Sequence, residues 1–291
     1  MANNGVCAVV ITFHPTAEVL QNIAKVRPQT QGLLVVDNGS SAVELGPFHA
    51  ASTEMDFMVI ENGENLGVAA ALNQGIRWAQ SQGYECVILL DQDSTASEDL
   101  IETMLAEYAS YSDREQIAVV VPRYVDRKSG HEIPVSRSRQ GEILVARTSG
   151  GLTRLSLIPR IGLFLEDFVI DQVDYEYCLR LGALGYKIVQ CNQAVLTHSL
   201  GDMEWHDLGV GGFVSTHHNA KRRYYMTRNR IRIVRLYWRR YPAYCFDLLF
   251  STLKDTIKIV LVEKSKYLKL KNTAIGVRDA LINRMGKTVE L

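Results

Sequence analysis

The sequence predicts an α/β protein: a mostly parallel sheet flanked by helices, followed by a C-terminal helical extension. Three observations carry this. Short apolar runs of strand length alternate with helix-patterned segments through residue 121. Two of those runs end abruptly in carboxylates, at Asp37 and at Asp91-Gln92-Asp93. The last quarter of the chain turns basic, with aromatic and aliphatic residues at helical spacing.

Residues 6–13 form the first apolar run, and 17–26 place Val19, Leu20, Ile23 and Val26 on one helical side. Leu33 to Val36 is the next strand, ending in the turn residues Asp37-Asn38-Gly39-Ser40. Phe57 to Ile60 follows, then a polar loop through Gly67 and the Ala-rich stretch Val68 to Ala79, a good helix former. Val87 to Leu90 reads as a buried strand, Glu98 to Tyr108 as a helix and Ile117 to Val121 as a strand. After Pro122 the segments shorten, and Glu132 to Val135 is expected to pair with Glu142 to Ala146 as a hairpin. The stretch from Asp171 is acidic and then helical through Leu184, and Lys187 to Gln190 and Val195-Leu196 read as two strands ending at Thr197-His198.

The chemistry gathers where strands end. In an extended Asp91-x-Asp93 both side chains leave on one face, and open α/β sheets bind ligands beyond the carboxyl ends of their strands. Such a pair can share a hard cation, since Mg²⁺ is usually held by one or two carboxylates plus substrate phosphates. The competing reading is a helix cap or turn. Gly150 and Gly151 either let the backbone approach a ligand closely, here an acceptor, or simply make a turn. Asp174 is placed to cap a helix or to act as a general base, and His198, just after a strand, is a metal ligand or a structural imidazole.

Composition narrows the class. With 291 residues, 47% hydrophobic and 22% charged, the chain is globular rather than disordered or fibrous. Cys7, Cys86, Cys178, Cys191 and Cys245 are scattered and odd in number, which argues against a disulfide framework or a zinc site and fits a reducing cytoplasm. Neither a signal peptide at Met1–Gly5 nor an apolar run of spanning length is expected. The formal net charge of zero hides an asymmetry: residues 221–291 carry 18 Lys and Arg against 5 Asp and Glu, residues 1–220 carry 14 against 27. A basic tail behind an acidic body points to an anionic surface partner.

Taken in order, these stretches resemble a family 2 glycosyltransferase of the GT-A fold, whose sheet is Rossmann-like, and within it the bacterial rhamnosyltransferases. The resemblance spans roughly residues 6–230. It rests on Thr12-Phe13, Val36-Asp37-Asn38-Gly39-Ser40, Asn65-Leu66-Gly67 through Asn73-Gln74-Gly75, Asp91-Gln92-Asp93, Asp174-Tyr175-Glu176, His198-Ser199-Leu200-Gly201-Asp202, and Arg222-Arg223-Tyr224-Tyr225 with Arg228-Asn229. It implies an inverting transferase using Mg²⁺ or Mn²⁺ and a nucleotide-sugar donor, in this subgroup dTDP-L-rhamnose, with a surface-polysaccharide or lipid-linked saccharide as acceptor. By the same resemblance Thr12, Asp37, Asn65, Gly67, Asn73, Asp91 and Gln92 would line the donor site. Asp91, Asp93 and His198 would hold the metal, Asp174 would be the base, and Glu176 would orient the acceptor. The family commonly has Glu-Asp before its helix; here Val173 precedes Asp174, so Asp171 keeps a smaller claim to the base.

The implied organisation is a catalytic domain over 1–216, with a nucleotide-sugar half to about 122 and an acceptor half from about 123, and a helical extension over 217–291. In that extension Arg222, Arg223, Arg228, Arg230, Arg232, Arg235, Arg239 and Arg240 alternate with aromatic and aliphatic residues. Beyond Pro242, Phe246, Leu249, Phe250, Leu253, Ile257 and Val260 follow at helical spacing. Helices of this kind suit a membrane interface, so a cytoplasmic enzyme peripherally attached to the inner face of the cell membrane is expected. The alternative is an apolar face packed on the catalytic domain or on a second copy in a homo-oligomer. Nucleic acid ranks third, lacking a recognition motif. Two rival enzymes are disfavoured: a sugar-1-phosphate nucleotidyltransferase by Thr12-Phe13-His14-Pro15-Thr16 where its Gly-rich loop would stand, and a dehydrogenase by the lack of Gly-x-Gly-x-x-Gly. A non-catalytic carbohydrate-binding or scaffolding protein is the alternative from another class.

Overall fold

A computed structural model describes residues 5–199, 204–207, 212–215 and 218–289, the two short segments 204–207 and 212–215 by backbone alone. Leu200, Gly201 and Asp202 of the histidine motif, and the expected boundary at 216–217, lie outside the described residues. The chain forms two compact units, Met1–Leu165 with Tyr177–Ser199, and Glu166–Glu176 with Leu200–Leu291.

The first unit runs β1 (Val6–Thr12), α1 (Ala17–Val26), β2 (Gly32–Asp37), α2 (Ala42–Glu54), β3 (Met58–Glu61), α3 (Val68–Ser81), β4 (Cys86–Asp91), β5 (Thr95–Ala96), α4 (Leu100–Ser110) and β6 (Ile117–Asp126). Then come β7 (Glu132–Ile133), β8 (Ser136–Arg137), β9 (Ile143–Val145), β10 (Gly151–Arg154) and α5 (Ile158–Ile161). Helix α6 (Val173–Ala183) begins in the second unit and leads into β11 (Lys187–His198). The sheet order is β3-β2-β1-β4-β10-β6-β11-β5. Pairs β1/β2, β2/β3, β1/β4 and β6/β11 are parallel, while β10 is antiparallel to both its neighbours. Strands β1 and β2 are buried along their whole length, as their unbroken apolar runs require of strands covered on both faces. Register sets the site: Thr12 lies opposite Asp37 and Ile11 opposite Asp91, so β1, β2 and β4 end together at one edge.

The expected strands and helices of the first 121 residues are present, with α2 and the two-residue β5 added. The apolar stripe of α2 is weak and Pro47 interrupts it, so periodicity does not reveal this helix. The local signal is Ser41-x-x-Glu44, a capping box in which Ser41 N donates to Glu44 Oε2 (2.7 Å) and Glu44 N donates back to Ser41 Oγ (3.4 Å).

The hairpin expected from 132–135 and 142–146 does not form. Instead β7 folds back on β6, pairing Tyr124 with Ile133, and β9 pairs with β8. The tight turn at Asp126 decides this: Asp126 N donates to His131 O and Gly130 N to Asp126 O, both 2.8 Å. Pro134, with no N–H, then ends the pairing. Residues 187–198 are one strand rather than two, because a register shift between Cys191 and Val195 lets β11 continue along β6.

The second unit holds a backbone hairpin of β12 (Glu204–Asp207) with β13 (Gly212–Ser215), and helices α7 (Ala220–Tyr237), α8 (Pro242–Leu261) and α9 (Lys266–Leu281). Tyr224 and Tyr225 of α7 pack with Val169, Ile170, Ile275 and Val289. Most α7 arginines turn out to serve the protein itself. Arg223 donates to the buried Glu263 (2.6 Å), which Lys269 also holds (2.7 Å), and Arg230 donates to Asp255 (2.8 Å). Arg228 is fully buried, and Arg235 caps α9 through Leu281 O (2.9 Å). These α7 guanidiniums are therefore engaged by carboxylates and carbonyls of the second unit. Among the described residues, no helix is long and apolar enough to cross a membrane.

Candidate active site

Where β4 ends, Asp91, Asp93 and His198 bring one oxygen or nitrogen each within 4.8 Å of one another. His198 Nδ1 stands 3.3 Å from Asp93 Oδ1 and 3.1 Å from Ser94 Oγ. Ser94 in turn contacts Ser149 Oγ (2.7 Å), which accepts from the Asp91 backbone N–H (3.0 Å). This chain of hydrogen bonds fixes the spacing of the three side chains. Arg127 adds a second brace: its Nη2 donates to Asp93 O (2.6 Å) and Thr95 Oγ1 (2.8 Å), its backbone N–H donates to His198 O (3.0 Å), and it pairs with Glu18. Burial raises the Asp91 carboxyl above the usual carboxylate range; His198 and Arg147 oppose that, and Asp93 adds to it. Two carboxylates and an imidazole make a hard, mixed O/N donor set that fits a divalent cation. Ser94, Ser149 and Arg127 escaped the sequence reading because hydroxyls and a loop arginine carry no spacing signal, although Ser94 directly follows Asp93.

The expected donor residues divide. Asp37 is fully buried, and its carboxylate accepts from Thr12 Oγ1 (2.9 Å), Gly39 N (3.0 Å), Ser40 N (2.7 Å) and Ser40 Oγ (2.6 Å). Those bonds shape the β2–α2 turn. A ligand contact through Asp37 must displace one of them, at about 1.5–3 kcal/mol for a hydrogen bond to a charged group. Asn65 Oδ1 accepts from Asn38 Nδ2 and Gly67 N, both 3.0 Å, tying the loop before α3 to that turn. Gln92 clamps Phe13 by accepting from its N–H (2.9 Å) and donating to its carbonyl (3.1 Å), which joins the loops after β1 and β4. Asn73 is 1% exposed and bonds both the N–H and C=O of Phe164 at 2.9 Å. It pins α3 to the chain at 164, and that burial leaves essentially no surface for a donor.

Gly150 and Gly151 are likewise buried and make a turn. A Cβ on Gly150, at φ +80°, would lie 2.8 Å from Leu196 Cδ2 and from Pro122 Cγ. Packing against β6 and β11 demands glycine at Gly150, in line with the turn alternative.

In the second unit, Asp174 sits in the first turn of α6, half-buried, with Oδ1 accepting from Tyr175 N (3.0 Å). Asp171 is held by Arg222 through Nε (3.0 Å) and Nη2 (2.9 Å). Both oxygens of that carboxylate face the Arg222 guanidinium, which ties the turn before α6 to α7. Glu176 is 2% exposed and accepts from Tyr237 OH (2.7 Å), so it ties α7 to α6. Val169, Asp171 and Gln172 have positive φ angles, conformations that cost about 1–3 kcal/mol each and need external restraint.

Residues 7–168 match the family model for Glycosyl transferase family 2. Over nearly its whole length the chain is similar to "dTDP-rhamnosyl transferase RfbF" of Shigella flexneri, with 25% identity covering 96% of each protein. Among solved structures it resembles GalNAc-T7, crystallised with UDP, GalNAc and Mn²⁺, at TM-score 0.62 and 11% identity, covering 96% of this chain and 57% of that one. The 1–349 fragment of S. aureus TarS gives TM-score 0.62 at 14% identity, covering 96% and 82%. The fold is therefore the GT-A fold expected from the motifs.

Proposed function

Since the chain belongs to glycosyl transferase family 2, we propose that it is an inverting, metal-dependent transferase moving L-rhamnose from dTDP-L-rhamnose to a hydroxyl of a surface-polysaccharide or lipid-linked saccharide. The observation that carries the donor is the full-length similarity to the dTDP-rhamnosyl transferase. Asp91, Asp93 and His198 would hold Mg²⁺ or Mn²⁺ at the diphosphate; when bound, such a cation offsets charge on the leaving group, worth several kcal/mol. The end of β1 at Thr12 and the loops carrying Asn65, Gly67 and Gln92 would present the nucleotide site, with Asp37 holding Thr12 in place. Asp174 takes the proton of the acceptor hydroxyl as its oxygen bonds the anomeric carbon and the bond to the nucleoside diphosphate breaks. One displacement with one base inverts that carbon.

A donor screen tests the assignment. Calorimetry with Mg²⁺ or Mn²⁺ and a panel of nucleotide sugars, with slow donor hydrolysis as second readout, is expected to favour dTDP-L-rhamnose. Equal or tighter binding of UDP-hexoses would remove the rhamnosyl assignment and leave the transferase.

We also propose that the enzyme works at a membrane surface, cytoplasmic and peripheral, through α8. Its Phe246, Phe250, Leu253, Ile257, Val260 and Leu261 are each between 48% and 62% exposed and share one face, while Cys245, Leu248 and Ile259 are buried on the other. Exposed Trp238, Arg239 and Arg240 stand before the helix, Lys264, Lys266 and Tyr267 after it. An apolar stripe with cations and rings at both ends matches an anionic lipid surface. Vesicles with an anionic headgroup are expected to sediment the protein, neutral ones much less, and replacing Phe250, Leu253 and Ile257 by serine should release it. A protein that ignores vesicles but self-associates through these residues would instead assign the face to a second copy.

A further inference from the structure

The turn ahead of Asp174 is held in a shape its residues do not choose. Val169, Asp171 and Gln172 have φ of +64°, +61° and +64°, a region rarely occupied by non-glycine residues and a marked outlier for β-branched valine. The carbonyls of this turn converge on one side chain. Asn229 Nδ2 lies 2.8 Å from Phe168 O, Ile170 O and Asp171 O, and Asn229 is fully buried. An amide nitrogen has two hydrogens for those three acceptors, so it is fully committed to the turn. The neighbouring Arg228 decides which end of the amide faces it: Arg228 Nε donates to Asn229 Oδ1 (3.1 Å), turning the nitrogen toward the carbonyls. Arg228 Nη2 also reaches Asp167 O (2.8 Å) and Nη1 reaches Gly286 O (2.6 Å).

The turn leads directly into the helix. Gln172 O accepts the N–H of Glu176 (3.0 Å), so the twist at Gln172 sets where the first turn of α6 begins, and Asp174 lies within that turn.

We infer that Asn229, oriented by Arg228, is a positioning residue: it forces the 168–172 turn into its left-handed path and thereby aims the Asp174 carboxylate. The inference rests on Asp174 being the base. Its central claim is that the amide supplies backbone restraint rather than mere cohesion, and glycine can supply the same conformation without it, because glycine adopts positive φ freely.

The test follows from that equivalence. Asn229→Ala should lower kcat for dTDP-L-rhamnose hydrolysis by about 10- to 100-fold, the range of a base misplaced by about an ångström. Calorimetric donor affinity per folded molecule should stay within about twofold, since the proposed donor residues belong to the other unit. Asn229→Ser, which keeps one donor, should lose less. Adding Gln172→Gly to Asn229→Ala should recover most of the lost kcat, while Gln172→Gly alone stays near wild type. Activity falling only in step with the folded fraction, or no recovery by Gln172→Gly in folded protein, would overturn the inference, as would a folded Asn229→Ala of full kcat. Asp174→Asn assayed alongside separates the two claims: if it is fully active the base assignment fails, and if it is inactive while Asn229→Ala is not impaired, only the clamp fails.

Discussion

Asp174→Asn is expected to abolish transfer while leaving the protein folded and donor affinity almost unchanged. Asparagine is nearly isosteric and keeps a side-chain oxygen for the start of α6, where Asp174 now accepts from Tyr175 N. What it loses is the capacity to take a proton from the acceptor hydroxyl. The loss in turnover should approach the roughly 10²–10⁴-fold contributed by a positioned general base, whereas a few-fold effect would reduce Asp174 to a capping role. Asp171→Asn is the matched control. Its carboxylate is paired with Arg222, so it should cost stability more than catalysis. An inactive Asp171→Asn beside an active Asp174→Asn would place the base three residues earlier.

Removal of the divalent cation is expected to stop the reaction as completely. EDTA should abolish transfer and restored Mg²⁺ or Mn²⁺ should return it, because the proposed leaving diphosphate depends on a cation for charge neutralisation. Asp93→Ala should weaken nucleotide binding measured by calorimetry in the presence of metal and have little effect in its absence. That difference distinguishes a ligand from a structural carboxylate, since His198 keeps its contact with Ser94 when Asp93 is truncated. Full activity in chelator would take the cation out of the mechanism.

What the sequence made legible was whatever periodicity and strand-end chemistry encode. The strands β1, β2 and β4 are apolar runs, and the carboxylates that close β2 and β4 stand where an open sheet binds ligands. His198, far along the chain from Asp91 and Asp93, does converge with them. Strand β10, four residues long, is too short for a periodicity window, and α2 is long enough but its stripe is weak. Asn73, Gly150 and Gly151 are ambiguous for a different reason. A polar or glycine residue in a family motif signals constraint, yet the constraint can be packing: Asn73 satisfies the Phe164 backbone and Gly150 makes room for Pro122. The arginines of α7 show the same ambiguity, since composition counts charges without showing that Glu263, Asp255 and Asp171 already balance them.

The place of β10 bears on how the enzyme comes into being on the ribosome. Strands β1 to β4 are synthesised early and can pair among themselves, but the slot beside β4 is filled by residues 151–154. Until those residues emerge and insert, β6 has no bridge to the older half of the sheet, and such non-local pairings form slowly. Ser149, directly before that strand, and His198, at the end of β11, are still missing when Asp91 and Asp93 first fold. The growing chain thus carries Asp91 and Asp93 before His198 has been made, and the three can gather only after both β10 and β11 have joined the sheet.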